Sequence, residues 1–177
     1  MFHYKHLWVI AGFALPLVGA AGAGLPVASY QADLDAFQAE RAAGGGPAFS
    51  AADRAAMQQA GADLARSMPD PGLRVGELAP DFTLPNAKGE PVRLSERLAL
   101  GPVVLSFYRG AWCPYCNLQL RGLQRSLPAF ERLGAQLIAV TPQRPDRSLA
   151  QIEADGYKFE ILSDLESRVM RAYRLYF

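Results

Sequence analysis

The sequence contains very little histidine and cysteine. Both histidines of the 177-residue chain, His3 and His6, lie at the N-terminus, so no later imidazole can act as general base for a serine or cysteine hydrolase. The two cysteines, Cys113 and Cys116, cannot complete a four-ligand zinc site by themselves, since one Cys-x-x-Cys pair is half of a zinc ribbon. We expect no metal and no other cofactor, which leaves redox chemistry of the two thiols.

The chain also lacks an excess of charge of either sign. Its formal net charge is +1, which argues against a nucleic-acid partner because such proteins carry a pronounced basic excess. With 50% hydrophobic residues it has room for one ordinary domain plus appendages.

Residues 1–29 have the composition of an N-terminal targeting segment. Lys5 precedes an apolar run over residues 7–18 and a cluster of small residues, a pattern typical of a secretory signal peptide with the mature chain beginning near Gly24. The alternative is an uncleaved N-terminal membrane anchor, because the run extended to Val27 approaches the ~20 residues that span a bilayer. Both interpretations predict export to the periplasm or cell envelope, where a disulfide can persist.

Residues 30–74 are predicted to form a helical extension. A short amphipathic helix is expected from Tyr30 to about Ala43, followed by a glycine-rich break. Ser50 with Asp53 three residues later predicts the capped start of a second helix, which the prolines from Pro69 onward end. Packing of this extension on the domain is favoured over a partner or lid surface.

From about residue 75 to residue 177 the pattern is that of an α/β redox domain. Strands that alternate with helices predict a parallel sheet with right-handed crossovers. The predicted strands are a hairpin over 82–84 and 92–94 and buried strands over 102–108, 135–140 and 159–162. The predicted helices start at Pro114, span about 148–154, and follow a cap formed by Ser163 with Glu166.

The Cys-x-x-Cys pair lies where a buried strand gives way to a helix. With Pro114 at the first helical position, Cys113 falls at the N-cap and Cys116 in the first turn. Backbone N–H groups and the helix dipole stabilise a thiolate there, and such cysteines have pKa values of roughly 3.5–7.5. Cys113 is expected to be the more exposed sulfur. A static structural disulfide is the alternative to a redox pair.

Arg109 and Trp112 are the candidate supporting residues beside the pair. Arg109 can hold a thiolate or orient a peroxide, or else form a surface ion pair. Trp112 is expected to pack beside the sulfurs and shield them. Exposed aromatic packing is favoured over a hydrogen-bonding role for Tyr108 and Tyr115.

Three segments of the chain resemble peroxiredoxins of the alkyl hydroperoxide reductase/thiol-specific antioxidant type. Residues 75–84 resemble their entry segment, residues 103–108 the strand before their active site, and residues 163–173 their downstream segment. The resemblance covers about residues 75–177 and implies a thioredoxin-like fold. It also implies reduction of hydroperoxides at the expense of a thioredoxin-, glutaredoxin- or glutathione-type thiol.

The chain departs from the peroxiredoxin motif Pro-x-x-x-Thr/Ser-x-x-Cys. Arg109 stands in place of the proline and Cys113 in place of the threonine, while Cys116 matches the cysteine that attacks the peroxide. Thioredoxins and glutaredoxins instead use the first cysteine of the pair, and Cys-Pro-Tyr-Cys is the glutaredoxin sequence. The resemblance therefore leaves three hypotheses: a thiol-dependent peroxidase, a thiol–disulfide oxidoreductase, and a non-enzymatic redox-sensing or binding domain.

The resemblance also bears on the end of the chain. Thioredoxin-like domains continue beyond the helix near residue 173 with two antiparallel strands and a terminal helix. We therefore expect the C-terminal part of the fold to be missing and the sheet to have an open edge, which a homo-oligomer could cover.

Overall fold

The computed structural model describes residues 30–45 and 49–175. The predicted leader, residues 1–29, lies outside the described residues. Within the described ranges, no helix is both long enough and apolar enough to cross a bilayer. The helices are α1 (Tyr30–Glu40), α2 (Ala51–Ser67), α3 (Leu94–Leu98), α4 (Pro114–Arg132), α5 (Pro145–Asp155) and α6 (Arg168–Ala172). The strands are β1 (Thr83–Pro85), β2 (Pro91–Arg93), β3 (Val103–Phe107), β4 (Gln136–Thr141) and β5 (Glu160–Ser163).

The strands form a hairpin and a parallel sheet, as predicted. β1 and β2 pair in antiparallel fashion, while β3, β4 and β5 form a three-stranded parallel sheet in that order. Val103 lies opposite Gln136 and Ile138 lies opposite Glu160. In the described part of the chain β3 is therefore an edge strand, and its end leads directly to the two cysteines.

Strand β4 is buried on both faces, which divides the core into two layers. Leu137 and Ala139 pack in a cluster with Leu120 of α4 and with both cysteines. The alternate residues of β4, such as Ile138, point to the opposite face of the sheet and pack in a second cluster with β2 and α6. This alternation is that of a strand whose successive side chains point to opposite faces. It places the first turn of α4, and hence the sulfurs, against the first layer.

The N-terminal extension contacts the domain through α1 and through the segment after α2, where the Gly72 N–H group donates to the Arg174 carbonyl oxygen at 3.0 Å and Leu73 packs against the cluster that contains Leu94. Phe37 meets Tyr115 edge to face with ring centroids 5.2 Å apart, and Asp33 forms a salt bridge with Arg125 of α4. In α2 the predicted Ser50–Asp53 capping box is present, but no residue of this helix is buried. The prediction that the extension packs on the domain therefore holds for α1 and for residues 72–73, whereas α2 lies at the surface.

Two local predictions are wrong. Leu94, expected in the second hairpin strand, is the first residue of α3. Ser163 does not cap the last helix, because it is the final residue of β5 and pairs with Thr141 in the sheet. The helix begins after Ser167, and the Asp164 carboxylate accepts a 2.9 Å hydrogen bond from the Met170 N–H group.

Candidate active site

The cysteine pair occupies the predicted place at the start of α4. Cys113 is the N-cap residue, in extended conformation, with Pro114 directly after it and Cys116 in the first turn. The Cys113 N–H group donates to the Gly110 carbonyl oxygen at 3.1 Å, which closes a tight turn before the helix. Proline fits the first helical position because its missing N–H group would have no intrahelical partner there.

Both cysteines are free thiols, and both are buried. Cys113 is 4% exposed and Cys116 is 9% exposed, within one cluster that contains Tyr108 and Leu120. The expectation that Cys113 is the more exposed sulfur is wrong, because the turn before α4 folds the N-cap into the core. Exposure does not distinguish the two sulfurs, so their hydrogen bonds and charges must.

The surroundings of the two sulfurs shift their pKa values in opposite directions. Burial opposes ionisation of Cys113, but hydrogen bonds from the Cys116 thiol and from backbone N–H groups, with the charge of Arg109, lower its pKa overall. Burial and the hydrogen bond to Cys113 raise the pKa of Cys116, against backbone hydrogen bonds from Arg109 and Gly110. Cys113 is therefore the more acidic thiol of the coupled pair, and Cys116 holds its proton to higher pH.

Arg109 and Trp112 form a pair at the mouth of the site. The Arg109 guanidinium lies over the Trp112 indole ring at 4.7 Å from its centroid, a cation–π contact. Among the described residues Arg109 forms no salt bridge, so its charge acts on Cys113 without a competing carboxylate. The Trp112 side chain is 66% exposed, so it is not the buried shield that the sequence predicted.

The tyrosines on either side of the site differ from each other. Tyr108 is buried, and its hydroxyl donates a 2.9 Å hydrogen bond to Gln151, so the expectation of exposed packing is wrong for this residue. Burial raises the Tyr108 pKa above its ordinary value, which keeps the hydroxyl protonated. Tyr115 is exposed and packs against Phe37, as predicted for an aromatic surface residue.

A largely apolar cavity of about 850 Å³ opens beside the pair. Cys116 lines this cavity together with Arg109 and Trp112, whereas Cys113 does not. Most of the remaining wall is apolar and comes from Val104, Leu105, Phe107, Leu123, Met170 and Leu175. A molecule bound in the cavity would therefore lie beside Cys116 and Arg109.

Three site residues were not predicted: Asn117, Gln143 and Gln151. Their side chains connect the loop before Cys113 to α4 and α5. The one sequence signal was the position of Gln143 just after buried strand β4, since polar groups at the carboxyl ends of parallel strands meet at one edge. In the described ranges no cluster of three or more His, Cys, Asp or Glu side chains is arranged to hold a metal ion.

The fold and site define a thioredoxin-like dithiol protein: a buried Cys-x-x-Cys pair begins the helix that follows a strand of a parallel sheet. A model of the AhpC/TSA family matches residues 75–177, which is more than half of the chain. The chain belongs to the AhpC/TSA family.

Known proteins similar to this chain include both peroxiredoxins and thiol–disulfide oxidoreductases. The thiol-disulfide oxidoreductase ResA of Geobacillus kaustophilus (strain HTA426) is 33% identical over 104 residues, 58% of this chain and 59% of the relative. The putative peroxiredoxin Rv2521 of Mycobacterium tuberculosis (strain H37Rv) is 32% identical over 104 residues, 59% of this chain and 66% of the relative. The chain thus spans about three fifths to two thirds of these curated relatives.

A solved structure shows the same fold. The crystal structure of peroxidoxin BcpB from Mycobacterium tuberculosis matches 57% of this chain and 66% of its own, with a TM-score of 0.55 and 28% identity. The fold is therefore the thioredoxin-like fold of peroxiredoxins, with α1 and α2 preceding it.

Proposed function

We propose that the chain is a thiol-dependent peroxidase that reduces hydroperoxides through the Cys113–Cys116 dithiol. The observation that carries this proposal is the cavity of about 850 Å³ that both Cys116 and Arg109 line. Membership of the AhpC/TSA family and similarity to a putative peroxiredoxin support it. The apolar wall suits the organic part of an alkyl hydroperoxide, and the guanidinium suits its polar end.

The proposed reaction oxidises the two thiols and reduces one peroxide. The Cys116 thiolate attacks the terminal oxygen of ROOH and the O–O bond breaks, so that Cys116 becomes a sulfenic acid and the alkoxide takes a proton from water and leaves as the alcohol. The Cys113 thiolate then attacks the Cys116 sulfur, and the S–O bond breaks to release hydroxide, which takes up a proton as water while the disulfide forms. Two electrons from an external thiol of the thioredoxin, glutaredoxin or glutathione type restore the dithiol.

Ionisation of Cys116 governs the first step, because the thiolate is the form that attacks. Since the pKa of Cys116 is raised, attack uses the fraction of the protein in which Cys116 has lost its proton. The backbone N–H groups of Arg109 and Gly110 stabilise the Cys116 thiolate at that moment. Oxidation by peroxide should therefore accelerate as the pH rises and Cys116 loses its proton.

Rapid mixing of the reduced protein with hydrogen peroxide and with cumene hydroperoxide tests the proposal. We expect oxidation faster than that of free cysteine at the same pH, with the bulkier peroxide at least equally reactive because the cavity wall is apolar. Cys116→Ser is the control and should lose this reaction. Rates no greater than those of free cysteine would exclude a peroxidase.

A second candidate function is thiol–disulfide exchange, with Cys113 as nucleophile. The specific observation is the lowered pKa of Cys113 at the N-cap, which increases the fraction of this sulfur present as thiolate. Similarity to a protein named as a thiol-disulfide oxidoreductase supports it. Turnover of insulin disulfides by the dithiol form would establish this activity, and inertness towards insulin and mixed disulfides would exclude it.

We further propose that the chain is exported, on the pattern of residues 1–29. Fractionation of cells that express the full chain should place the folded protein in the periplasm or cell envelope. N-terminal sequencing of that fraction should find a start near Gly24. A start at Met1 in the membrane fraction would support the anchor instead, and recovery in the cytoplasm would contradict export.

A further inference from the structure

A closed circuit of hydrogen bonds holds the loop that precedes Cys113. The Ala111 N–H group donates to Gln143 Oε1 at 2.8 Å, and the Ala111 carbonyl oxygen accepts from Asn117 Nδ2 at 2.8 Å. Hydrogen bonds through the Tyr108 and Gln151 side chains connect Gln143 to Asn117 and so close the circuit. Both backbone polar groups of one loop residue are thus bound by side chains.

Every link of the circuit points the same way. Gln143 Nε2 donates to the Tyr108 hydroxyl at 3.3 Å, and this hydroxyl donates to Gln151 Oε1 at 2.9 Å. Gln151 Nε2 donates to Asn117 Oδ1 at 3.1 Å, and Asn117 donates to the Ala111 carbonyl. Because the Ala111 N–H can only donate and its carbonyl can only accept, the orientation of each side-chain amide is fixed.

The circuit is anchored in the core. Tyr108 and Gln151 are both buried, so water cannot replace a broken link cheaply. Tyr108 follows β3, Gln143 follows β4, Gln151 lies in α5 and Asn117 lies in α4. Ala111 is therefore tied to four separate elements of the rigid domain.

The held loop carries the donors that face the Cys116 sulfur. Arg109 and Gly110, the two residues before Ala111, supply the backbone hydrogen bonds that favour the Cys116 thiolate. The Ala111 nitrogen shares a peptide plane with the Cα atom of Gly110, so a shift of Ala111 displaces Gly110 and with it the N–H groups that precede it. The other ionisable groups around this sulfur are Cys113, Tyr108 and the Arg109 side chain.

We propose that Gln143 is a positioning residue of the redox site, which acts with Tyr108, Gln151 and Asn117 to aim the Arg109 and Gly110 N–H groups at the Cys116 sulfur. The proposal deepens the proposed function, since the same sulfur attacks the peroxide there. Its effect is on ionisation of Cys116, which is measurable without any peroxide.

The test titrates Cys116 alone in the full-length Cys113→Ser protein. Alkylation by iodoacetamide is followed by mass spectrometry as a function of pH, with and without Gln143→Ala. We expect the alkylation profile to move to higher pH, with a rate near neutral pH about three- to tenfold lower, the effect of one weakened hydrogen bond to the thiolate. The plateau rate at high pH should be unchanged.

Gln124→Ala is the matched control. Gln124 Oε1 also accepts a 2.8 Å hydrogen bond from a backbone N–H group, that of Lys158, but it lies outside the circuit. Its alkylation profile should match that of the parent. If Gln143→Ala does not fold, Tyr108→Phe carries the test, because it removes one hydroxyl from the circuit and keeps the buried ring.

The outcomes separate positioning from simple stabilisation. A shifted profile for Gln143→Ala or Tyr108→Phe, with an unchanged profile for Gln124→Ala, supports the proposal. Loss of thermal stability with an unshifted profile overturns it. Failure of the wild-type protein to reduce peroxides would contradict the proposed function and leave this result as it stands.

Discussion

The Cys113→Ser protein is expected to form a sulfenic acid at Cys116 when it meets peroxide, and to form no intramolecular disulfide. Cys116 keeps its place on the cavity wall and its backbone donors from Arg109 and Gly110. The partner sulfur that would expel water from the sulfenic acid is gone. The sulfenic acid should therefore persist until an external thiol or more peroxide reacts with it.

The same substitution changes the pH dependence of the attack. In the wild-type pair, Cys113 raises the pKa of Cys116 both by its hydrogen bond and by its charge. Removal of the Cys113 sulfur takes away both effects, so the Cys116 pKa should fall. A larger fraction of Cys116 is then thiolate near neutral pH, and the rate of sulfenic acid formation should rise at that pH.

Trapping with dimedone, followed by mass spectrometry, measures this outcome directly. Cys113→Ser should carry the label at Cys116, whereas the wild-type protein should carry little because the disulfide forms first. Cys116→Ser is the reciprocal variant. Label found at Cys113 of that variant, and absent from Cys113→Ser, would show that the first cysteine attacks the peroxide.

Thiol–disulfide exchange should respond to the two variants in the opposite sense. Cys113 has the lowered pKa and is the proposed nucleophile of this reaction, so Cys113→Ser should lose insulin reduction. Cys116→Ser should still attack a disulfide, but it should accumulate the mixed disulfide because no second sulfur resolves it. The pair of variants therefore distinguishes the two proposed functions in one set of proteins.

The start of α4 could be predicted because its signals are local. Proline at the first helical position and a cysteine before it specify an N-cap within four residues of sequence. The parallel strands were equally clear, since a short apolar run between turn residues suits a strand buried on both faces. These features need no information about which distant segments meet.

The rest of the site depends on contacts between distant segments. Ala111 and Gln143 are 32 residues apart, and Tyr108 and Gln151 are 43 apart, so no local pattern joins them. Burial of Tyr108 follows from these partners, which explains why exposed packing was wrongly expected. Tertiary contacts can also outweigh a local sequence signal. Ser163 was predicted to cap the last helix, but it pairs with Thr141 in the sheet instead.

Gly110→Ala is expected to damage both the fold and the site. Gly110 has a φ of +147°, which residues with a side chain rarely adopt, so alanine should cost about 1–3 kcal/mol in free energy of unfolding. The added Cβ atom would lie 2.6 Å from Trp112 Nε1 and 3.2 Å from Gln143 Oε1. The exposed indole can move away from Arg109, but a shift of Gln143 Oε1 stretches its 2.8 Å hydrogen bond from the Ala111 N–H group.

The substitution should therefore also change the ionisation of Cys116, because it displaces the loop before the cysteine pair. A displaced Gly110 N–H group no longer faces the Cys116 sulfur, and the Cys116 pKa, already raised, should rise further. Because the thiolate is the reactive form, alkylation of Cys116 near neutral pH should slow. Denaturant unfolding and alkylation against pH measure the two effects in the same protein.

Gly101→Ala separates damage to the fold from damage to the site. Gly101 has nearly the same φ, +149°, and its added Cβ atom would lie 2.4 Å from the Gly134 carbonyl oxygen, a backbone atom that cannot swing aside. It precedes β3, whose five residues put about 16 Å between it and the active-site loop. Gly101→Ala should lose at least as much stability as Gly110→Ala while its Cys116 alkylation profile stays at the wild-type position. Equal shifts of the profile in both variants would mean that the thiol responds to overall stability rather than to the loop, and the role assigned to the Gly110 N–H group would be wrong.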